Sequence, residues 1–506
     1  MWTPAEIGCT IAGTRCSCPR HAGIPAKEMV AVTPKDRSRW ASVPLLLSTL
    51  VLLFATTASA EWKEKVLYSF QGGNDGALPA GGVVFDPQGN LYGVTEAGGP
   101  ASCAPIGNYC GTVYELSPPV KQGDPWTKTQ LYMFKGKKAN DGEAPDGGLV
   151  MDKAGNLYGV TAYGGTGDCT LAGVPGGCGT VYELSPPQTK GGQWTYASLY
   201  SFKSGKDGYL PLGNLVFDGA GNLYGATYFG GGKGTTCNPD YQYCGTVFEL
   251  SPPKTKGGKW TEKVLHSFAG GTDGANPNGG LILDSKGDVY GTTYIGGYNC
   301  PHNSNQGCGT VFELKPPTKN GGTWAEKQLH IFKNGSDGGQ PPVGVILDPK
   351  GSLYGVAGGG NITGGGVVFR LTAVGGGRWK DSVLHWFSNS GPGDFTAGLV
   401  FDSSGNLYGP TAEGAKFRGT VVRLKHPATQ GGKWVPAVLY TFQGGQDGAG
   451  PAARLLFDAV GNLYGTTEGG GGSGSYGTVF KVNPLEDKKV IEFNGTNPRS
   501  RYGENI

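Results

Sequence analysis

Residues 86–95 read DPQGNLYGVT, and close copies of this stretch recur six more times along the 506-residue chain. The copies begin at Asp152, Asp218, Asp284, Asp348, Asp402 and Asp458. In each copy the aspartate can accept hydrogen bonds from turn amides, and the glycine supplies the positive φ that other residues resist. The stretch therefore predicts a tight hairpin between two strands, and packing is favoured over a chemical role for the repeated tyrosine.

The unit around each copy contains four short apolar runs, which in the fourth unit are KVLHSF, GLILD, DVYGTT and GTVFEL. Each run is bounded by Gly, Pro, Asn or Asp and is too short for a helix, and no sustained 3.6-residue periodicity follows residue 60. One four-stranded unit cannot bury both faces of its sheet, whereas seven units in a ring can. We therefore predict an all-β fold, a seven-bladed β-propeller of four-stranded antiparallel blades.

The repeat resembles a known family. Its GNLYGTT and GTVFEL segments are similar to the GloVer tandem repeat of exported bacterial proteins over almost all of residues 61–506. The order of its runs resembles that of NHL-type propellers. That resemblance implies that runs such as GLVFD are innermost, NLYGTT second, GTVFEL third and WTYASLYSF outermost. The GloVer resemblance implies export but brings no assigned biochemical activity.

The N-terminus has the order of a secretory signal peptide. The basic segment 35–39 precedes the apolar run Val43–Ala55, which is too short for the roughly 20 residues of a membrane span, and Ala58-Ser59-Ala60 follows. We expect cleavage near Ala60, a true start at Met29 and a secreted or periplasmic monomer. Removing residues 1–60 leaves equal numbers of acidic and basic residues, so nucleic-acid binding is not indicated. No second long apolar run follows, so we expect no membrane anchor in the mature chain.

The predicted domains are a leader at residues 1–60 and a propeller at residues 61–506. The predicted repeats cover residues 61–124, 125–192, 193–258, 259–322, 323–377, 378–432 and 433–484, and a tail covers 485–506. Residues 62–70 read as an outermost strand whose natural partner is Gly477–Val482, which would close the ring and remove an open sheet edge. Because Lys488–Asn497 resembles another outermost strand, two segments compete for this place, and we expect the N-terminal one to fill it.

Cysteines distinguish the first four repeats from the last three. Four local pairs fall between the second and third strands: Cys103 and Cys110, Cys169 and Cys178, Cys237 and Cys244, Cys300 and Cys308. In an exported chain such pairs predict disulfides, because zinc sites need closer spacing. The loops between the second and third strands are also longer in these four repeats than in the last three. They should therefore form a raised wall along one side of one face of the ring. We expect any binding there, with exposed candidates at Tyr109, Tyr241, Tyr243 and His302.

A second set of repeated residues precedes the innermost strand in six of the seven repeats, and the sixth repeat departs, with Asp394 at a shifted place. It comprises Asp75, Asp141, Asp207, Asp273, Asp337 and Asp447, each followed by glycine. A ring of carboxylates near a channel could hold a metal such as Ca²⁺. Asp-Gly is also common turn chemistry that recurs because the fold recurs, and we favour the turn and expect no cofactor. His266, His330 and His385 stand where other repeats have tyrosine and are interpreted as blade-edge residues.

No nucleophile elbow, His-x-x-x-His pair or phosphate-binding loop occurs, so no catalytic residue is assigned. The leading hypothesis is an exported, non-enzymatic propeller that binds or scaffolds a glycan or a cell-surface protein. A metal-dependent propeller hydrolase or lyase, lactonase-like and acting at the channel mouth, is the first alternative. A purely structural envelope protein is the second.

Overall fold

The computed structural model describes residues 62–100, 110–171, 174–189, 191–232, 244–255, 257–297, 307–319, 321–359, 364–388, 395, 397–411, 418–429 and 431–484. These residues form seven small antiparallel sheets arranged in a ring, each with four strand positions, so the prediction of a seven-bladed β-propeller is confirmed. Helical structure among the described residues is limited to short 3-10 turns at the entry to a blade, among them Gly73–Asp75, Lys137–Ala139, Gly205–Asp207 and Gly271–Asp273.

The strands follow one another through each blade from the channel outward. The innermost strands are Ala77–Phe85, Gly142–Met151, Tyr209–Phe217, Ala275–Pro277 with Ile282–Leu283, Ile346–Leu347, Val400–Phe401 and Leu456–Phe457. The second strands are Leu91–Ala97, Leu157–Gly164, Leu223–Phe229, Val289–Ile295, Leu353–Ala357, Leu407–Thr411 and Leu463–Thr467.

The outer half of each blade is more regular. The third strands are Thr112–Ser117, Thr180–Ser185, Thr246–Ser251, Thr310–Lys315, Gly364–Gly375, Thr420–Lys425 and Thr478–Pro484. The outermost strands of blades one to six are Thr127–Met133, Thr195–Ser201, Thr261–Ser267, Ala325–Ile331, Arg378–Ser388 and Val435–Thr441. A separate two-stranded ribbon, Thr170–Leu171 with Val174–Pro175, lies in the cysteine loop of blade two.

The N-terminal strand Trp62–Ser69 is the outermost strand of blade seven. It pairs antiparallel with Thr478–Pro484, with Trp62 opposite Pro484 and Ser69 opposite Thr478. The predicted closure by residues 62–70 is therefore confirmed, and the competing segment Lys488–Asn497 lies outside the described residues. This pairing joins the two ends of the described chain in one sheet and covers an edge that would otherwise be free.

The repeated hairpin has the predicted chemistry. In blade one, Asp86 Oδ1 accepts the backbone N–H groups of Gln88 and Asn90 at 2.8 Å each, and Oδ2 accepts the Tyr92 hydroxyl at 3.2 Å. The tyrosine of every blade donates to its own hairpin aspartate at 3.0–3.4 Å. Tyr92 is also buried between blades, with its ring 6.0 Å from that of Trp194. The aspartate thus shapes the turn and satisfies a hydroxyl that packing buries.

Glycines let the innermost strands of neighbouring blades touch. A Cβ added to Gly81 would lie 1.8 Å from the Gly147 carbonyl carbon, and one added to Gly147 would lie 2.3 Å from the Gly213 carbonyl oxygen. Both glycines have positive φ, at 68° and 74°. The ring around the channel is therefore held backbone to backbone in these blades, which only glycine permits.

Candidate functional site

The loops between second and third strands lie on the same face as the turns that enter the innermost strands. The backbone N–H of Gly99 donates to the Gly73 carbonyl at 2.9 Å, and that of Gly165 donates to the Asp141 carbonyl at 2.7 Å. Blades three, four and seven have the equivalent bond. We call this side of the ring the bridged-loop face, because the cysteine loops and the Asp-Gly turns meet on it.

The predicted disulfide of blade two is present, with Cys169 and Cys178 joined by an S–S bond of 2.09 Å. Cys110, Cys244 and Cys308 are disulfide-bonded as well. The predicted partners Cys103, Cys237 and Cys300 lie outside the described residues, so these three pairings stay predictions. The candidates Tyr109, Tyr241, Tyr243 and His302 also lie outside the described part of the chain.

The second cysteine of each pair also connects its blade to the next one. The Cys110 carbonyl accepts the Ala144 N–H at 3.1 Å, and the Cys178 carbonyl accepts the Leu210 N–H at 3.0 Å. Cys244 and Cys308 accept from Asn276 and Gln340 in the same way. Each bridged loop is thus anchored to the rim of the channel in the following blade.

The aspartates of the Asp-Gly turns do not converge on one point. Asp207 accepts the Tyr200 hydroxyl and the Lys203 backbone N–H, each at 3.0 Å, and the same pair of bonds, from a strand tyrosine and a turn amide, recurs at Asp75, Asp141 and Asp447. Among the described residues, no group of three or more His, Cys, Asp or Glu side chains is placed to hold a metal ion. The geometry assigns these aspartates to joining one blade's outermost strand to the next blade's entry turn.

Two of the three histidines make that same connection. His266 Nε2 lies 3.1 Å from Asp273 Oδ1, and His330 Nε2 lies 3.3 Å from Asp337 Oδ2. Burial acts to raise the pKa of Asp337, but the hydrogen bond and charge of His330 outweigh it and the pKa is lowered. Burial lowers the pKa of His385, the counterpart in blade five.

In blades one, three, four and seven, a third side chain faces the turn aspartate from the outermost strand of the same blade, and sequence reasoning missed it. In blade one it is Lys128, whose Nζ lies 2.8 Å from Asp75 Oδ1. In blades three, four and seven it is a glutamate: Glu262, Glu326 and Glu64 face Asp207, Asp273 and Asp447. Burial, with the charge of the aspartate added, raises the pKa of each glutamate to about 7. These carboxyls therefore keep a proton to higher pH than an ordinary glutamate does.

The channel mouth on the bridged-loop face departs from the repeat. The residue after the threonine at the corresponding place in the second strand is Glu96 in blade one, Ala162, Tyr228 and Tyr294 in blades two to four, and Glu468 in blade seven, and in blade five Gly358 follows Ala357 instead. Two adjacent blades therefore contribute carboxylates, and two others contribute half-buried tyrosines. An alignment of the seven repeats reveals this variation from the sequence alone.

Further carboxyls approach the two glutamates. Burial, together with the charges of Asp146 and Glu468, raises the pKa of Glu96 to about 7. Burial also raises the pKa of Asp146, against the backbone hydrogen bond from Gly213, and that of Glu468. Glu468 nevertheless keeps an exposed surface. Burial and the charges of neighbouring carboxyls therefore act on these three groups together.

A cavity of about 410 Å³ lies farther out on this face, lined by Pro100, Lys135, Lys138 and Ala139. It borders the entry turn of blade two, which is longer than the entry turns of blades one, three, four, five and seven. Seven positions separate Phe134 from Asp141, whereas five separate Phe70 from Asp75 and the matching pairs of blades three, four, five and seven. The extra residues place Lys137 and Lys138 in this turn.

No helix among the described residues is both long and apolar enough to cross a membrane. No curated protein matches the chain in sequence. Its fold is similar to solved structures at low identity. A putative oxidoreductase (glucose dehydrogenase) from Thermus thermophilus is 13% identical, with 83% of this chain and 100% of that chain covered and a TM-score of 0.38. The calcium structure of a carbohydrate-active enzyme of family AA12 from Trichoderma reesei is 12% identical, with 84% and 96% covered and a TM-score of 0.40. A polysaccharide lyase of family PL25, an ulvan lyase, is 11% identical, with 72% and 82% covered and a TM-score of 0.43.

These values leave the activity of this chain open. The sequence comparison is decisive for the family, because the profile of one repeat family matches residues 51–236, 169–378 and 365–505, which together span nearly all of the propeller. The chain belongs to the Gloeobacter/Verrucomicrobia repeat family.

Proposed function

We propose that this chain is an exported binding propeller that takes a glycan at the channel mouth of its bridged-loop face. The observation that carries the proposal is the broken repeat at the mouth, where Glu96 and Glu468 stand in adjacent blades and Tyr228 and Tyr294 in two others. Carboxylates accept hydrogen bonds from sugar hydroxyls, and tyrosine offers a flat apolar surface with a polar end. The hairpin aspartate, glycine and tyrosine are the same in all seven repeats, whereas this position differs from blade to blade.

The bridged loops support a binding role in a second way. A loop closed by a disulfide and anchored to the next blade loses little conformational entropy when a ligand binds. Cys178 meets both conditions in blade two, through its bond to Cys169 and through the hydrogen bond from Leu210 to its carbonyl. The bridged loops therefore give this face a preorganised surface for binding a ligand.

A glycan array probed with the full chain tests the proposal. We expect selective binding to one class of glycan, and we expect the double variant Glu96→Ala/Glu468→Ala to weaken that binding at least tenfold. The matched control is Glu115→Ala/Glu249→Ala, which removes two glutamates from third strands, where they accept from Ser117 and Ser251. Absence of any glycan binding, or equal loss in both double variants, would contradict the proposal.

Export is part of the same proposal and has its own test. Expression in a bacterial host followed by mass spectrometry of the secreted or periplasmic fraction should find a mature N-terminus at Glu61. A product that retains residues 29–60 and stays in the cytosol would contradict export without bearing on the glycan site.

A further inference from the structure

The lengthened entry turn of blade two is a second departure from the repeat. Unlike the channel mouth, it carries exposed lysines beside a cavity. It borders a cavity of about 410 Å³, within the range of roughly 300–1,000 Å³ that small-ligand sites occupy. We propose that this cavity binds the anionic group of an acidic glycan, a uronate carboxylate or a sulfate ester, through Lys135 and Lys138. The inference rests on the proposed function and names the ligand class.

The charges around the cavity are not balanced within the protein. Lys135 and Lys138 are both exposed, and neither ammonium group has a hydrogen bond or ion pair to another described residue. The third lysine of the turn, Lys137, is different because its Nζ lies 2.9 Å from Asp168 Oδ1. Two uncompensated cations therefore border one concave surface, which suits an oxyanion.

The turn that carries these lysines is fixed before any ligand arrives. Asp141 Oδ2 accepts the Lys135 N–H at 2.9 Å, and the Gly136 N–H donates to the Gly142 carbonyl at 3.1 Å. Asn140 closes the turn in the left-handed conformation, with φ at 54°. Lys137 ties the turn to the bridged loop through Asp168 and the Gly167 carbonyl. Little backbone ordering is left to oppose binding.

The acidic channel mouth gives such a ligand a direction. Asp146 lies in the innermost strand Gly142–Met151 and its charge acts on Glu96, whereas the two lysines belong to the entry turn that precedes this strand. An acidic glycan would therefore place its anionic group in the cavity and its neutral hydroxyls toward the mouth, because the reverse orientation brings like charges together.

Calorimetric titration of the full chain at 0.15 M salt tests the inference with three probes: oligogalacturonate, dextran sulfate and neutral dextran. We expect oligogalacturonate, dextran sulfate or both to bind, and we expect Lys135→Gln/Lys138→Gln to weaken that binding at least tenfold. The matched control is Lys203→Gln/Lys206→Gln, which removes two exposed lysines from the entry turn of blade three on the same face. It should change the affinity less than twofold, and melting temperatures should show that both variants are folded.

The outcomes separate the two proposals. Lysine-dependent binding of oligogalacturonate identifies a carboxylate as the anion, and lysine-dependent binding of dextran sulfate alone identifies a sulfate ester. An equal loss of affinity in both double variants would mean that the lysines act only through general charge attraction, and it would overturn this inference. Glycan binding that ignores all four lysines also overturns it while the proposed function stands. No binding of any glycan, charged or neutral, overturns both.

Discussion

Glu262 in the outermost strand of blade three faces Asp207 in the entry turn of the same blade, and burial with the Asp207 charge raises the pKa of Glu262 to about 7. Glu262 Oε1 is buried without a hydrogen-bond partner in the described structure. The folded state thus holds a proton on Glu262 at pH values where the unfolded chain, with an ordinary pKa of 4.5, has lost it. Stability from this group is present at low pH and is lost as the pH rises through about 7.

The variant Glu262→Gln should therefore stabilise the protein at pH 8 by about 1 kcal/mol, a value kept small because the side chain is partly exposed. At pH 5 the substitution should have little effect, because the native glutamate is already protonated there. Thermal melts at the two pH values measure the difference. Glu249→Gln in the same blade is the control, and an equal change for both variants would contradict the assigned cause.

The closing strand should be essential to blade seven. Leu67 is 7% exposed and packs in the core shared by blades seven and one. Leu67→Ala should cost about 2–4 kcal/mol, because it leaves a cavity at the point where the ring closes. Lys63→Ala on the exposed side of the same strand should change stability by less than about 0.5 kcal/mol. Chemical unfolding of the two variants gives the comparison, and a stability loss that is small for both would mean that the clasp contributes little.

The Cys169–Cys178 bridge closes a loop with a sequence separation of 9. Replacing both cysteines by serine should destabilise the oxidised protein by about 2–3 kcal/mol in the chain-entropy description. Limited proteolysis should then cut residues 165–178 before any blade strand. Non-reducing mass spectrometry should find the other three predicted bridges in freshly exported protein, and free thiols at Cys110, Cys244 or Cys308 would be inconsistent with the structure.

The glycine contacts around the channel allow a test of sterics apart from backbone conformation. Gly147 and Gly221 both have positive φ, at 74° and 86°, but only Gly147 has a neighbour where a Cβ would stand. Gly221→Ala should cost about 1–2 kcal/mol for the left-handed conformation alone. Gly147→Ala should cost about 3 kcal/mol or more, because the Gly213 backbone must also move. Similar costs for the two substitutions would show that the close approach is not needed for stability.

Much of the fold could be predicted from the sequence because the same pattern of four strands and one hairpin occurs seven times. The aspartate, glycine and tyrosine of residues 86–95 each have one local role, and a spacing of a few residues suffices to infer it. The contact between Glu262 and Asp207 could not be predicted from the sequence, because Glu262 lies in an outermost strand and Asp207 in an entry turn 55 positions earlier, and folding of the blade alone brings them together. The longer entry turn before Asp141 was visible in the sequence, but its cavity depends on how Pro100 lies beside it.

The pairing of Ser69 with Thr478 fixes the order in which the ring can be completed. Trp62–Ser69 is the first strand of the propeller to be synthesised, and its partner follows roughly 400 residues later. Until then a strand with alternating exposed and half-buried positions has no neighbour of its own, and its edge is open to wrong pairing. Closing the ring in this way leaves the first strand unpaired for most of the time that synthesis takes. A chaperone or a change in the rate of translation would therefore affect these eight residues more than any other strand.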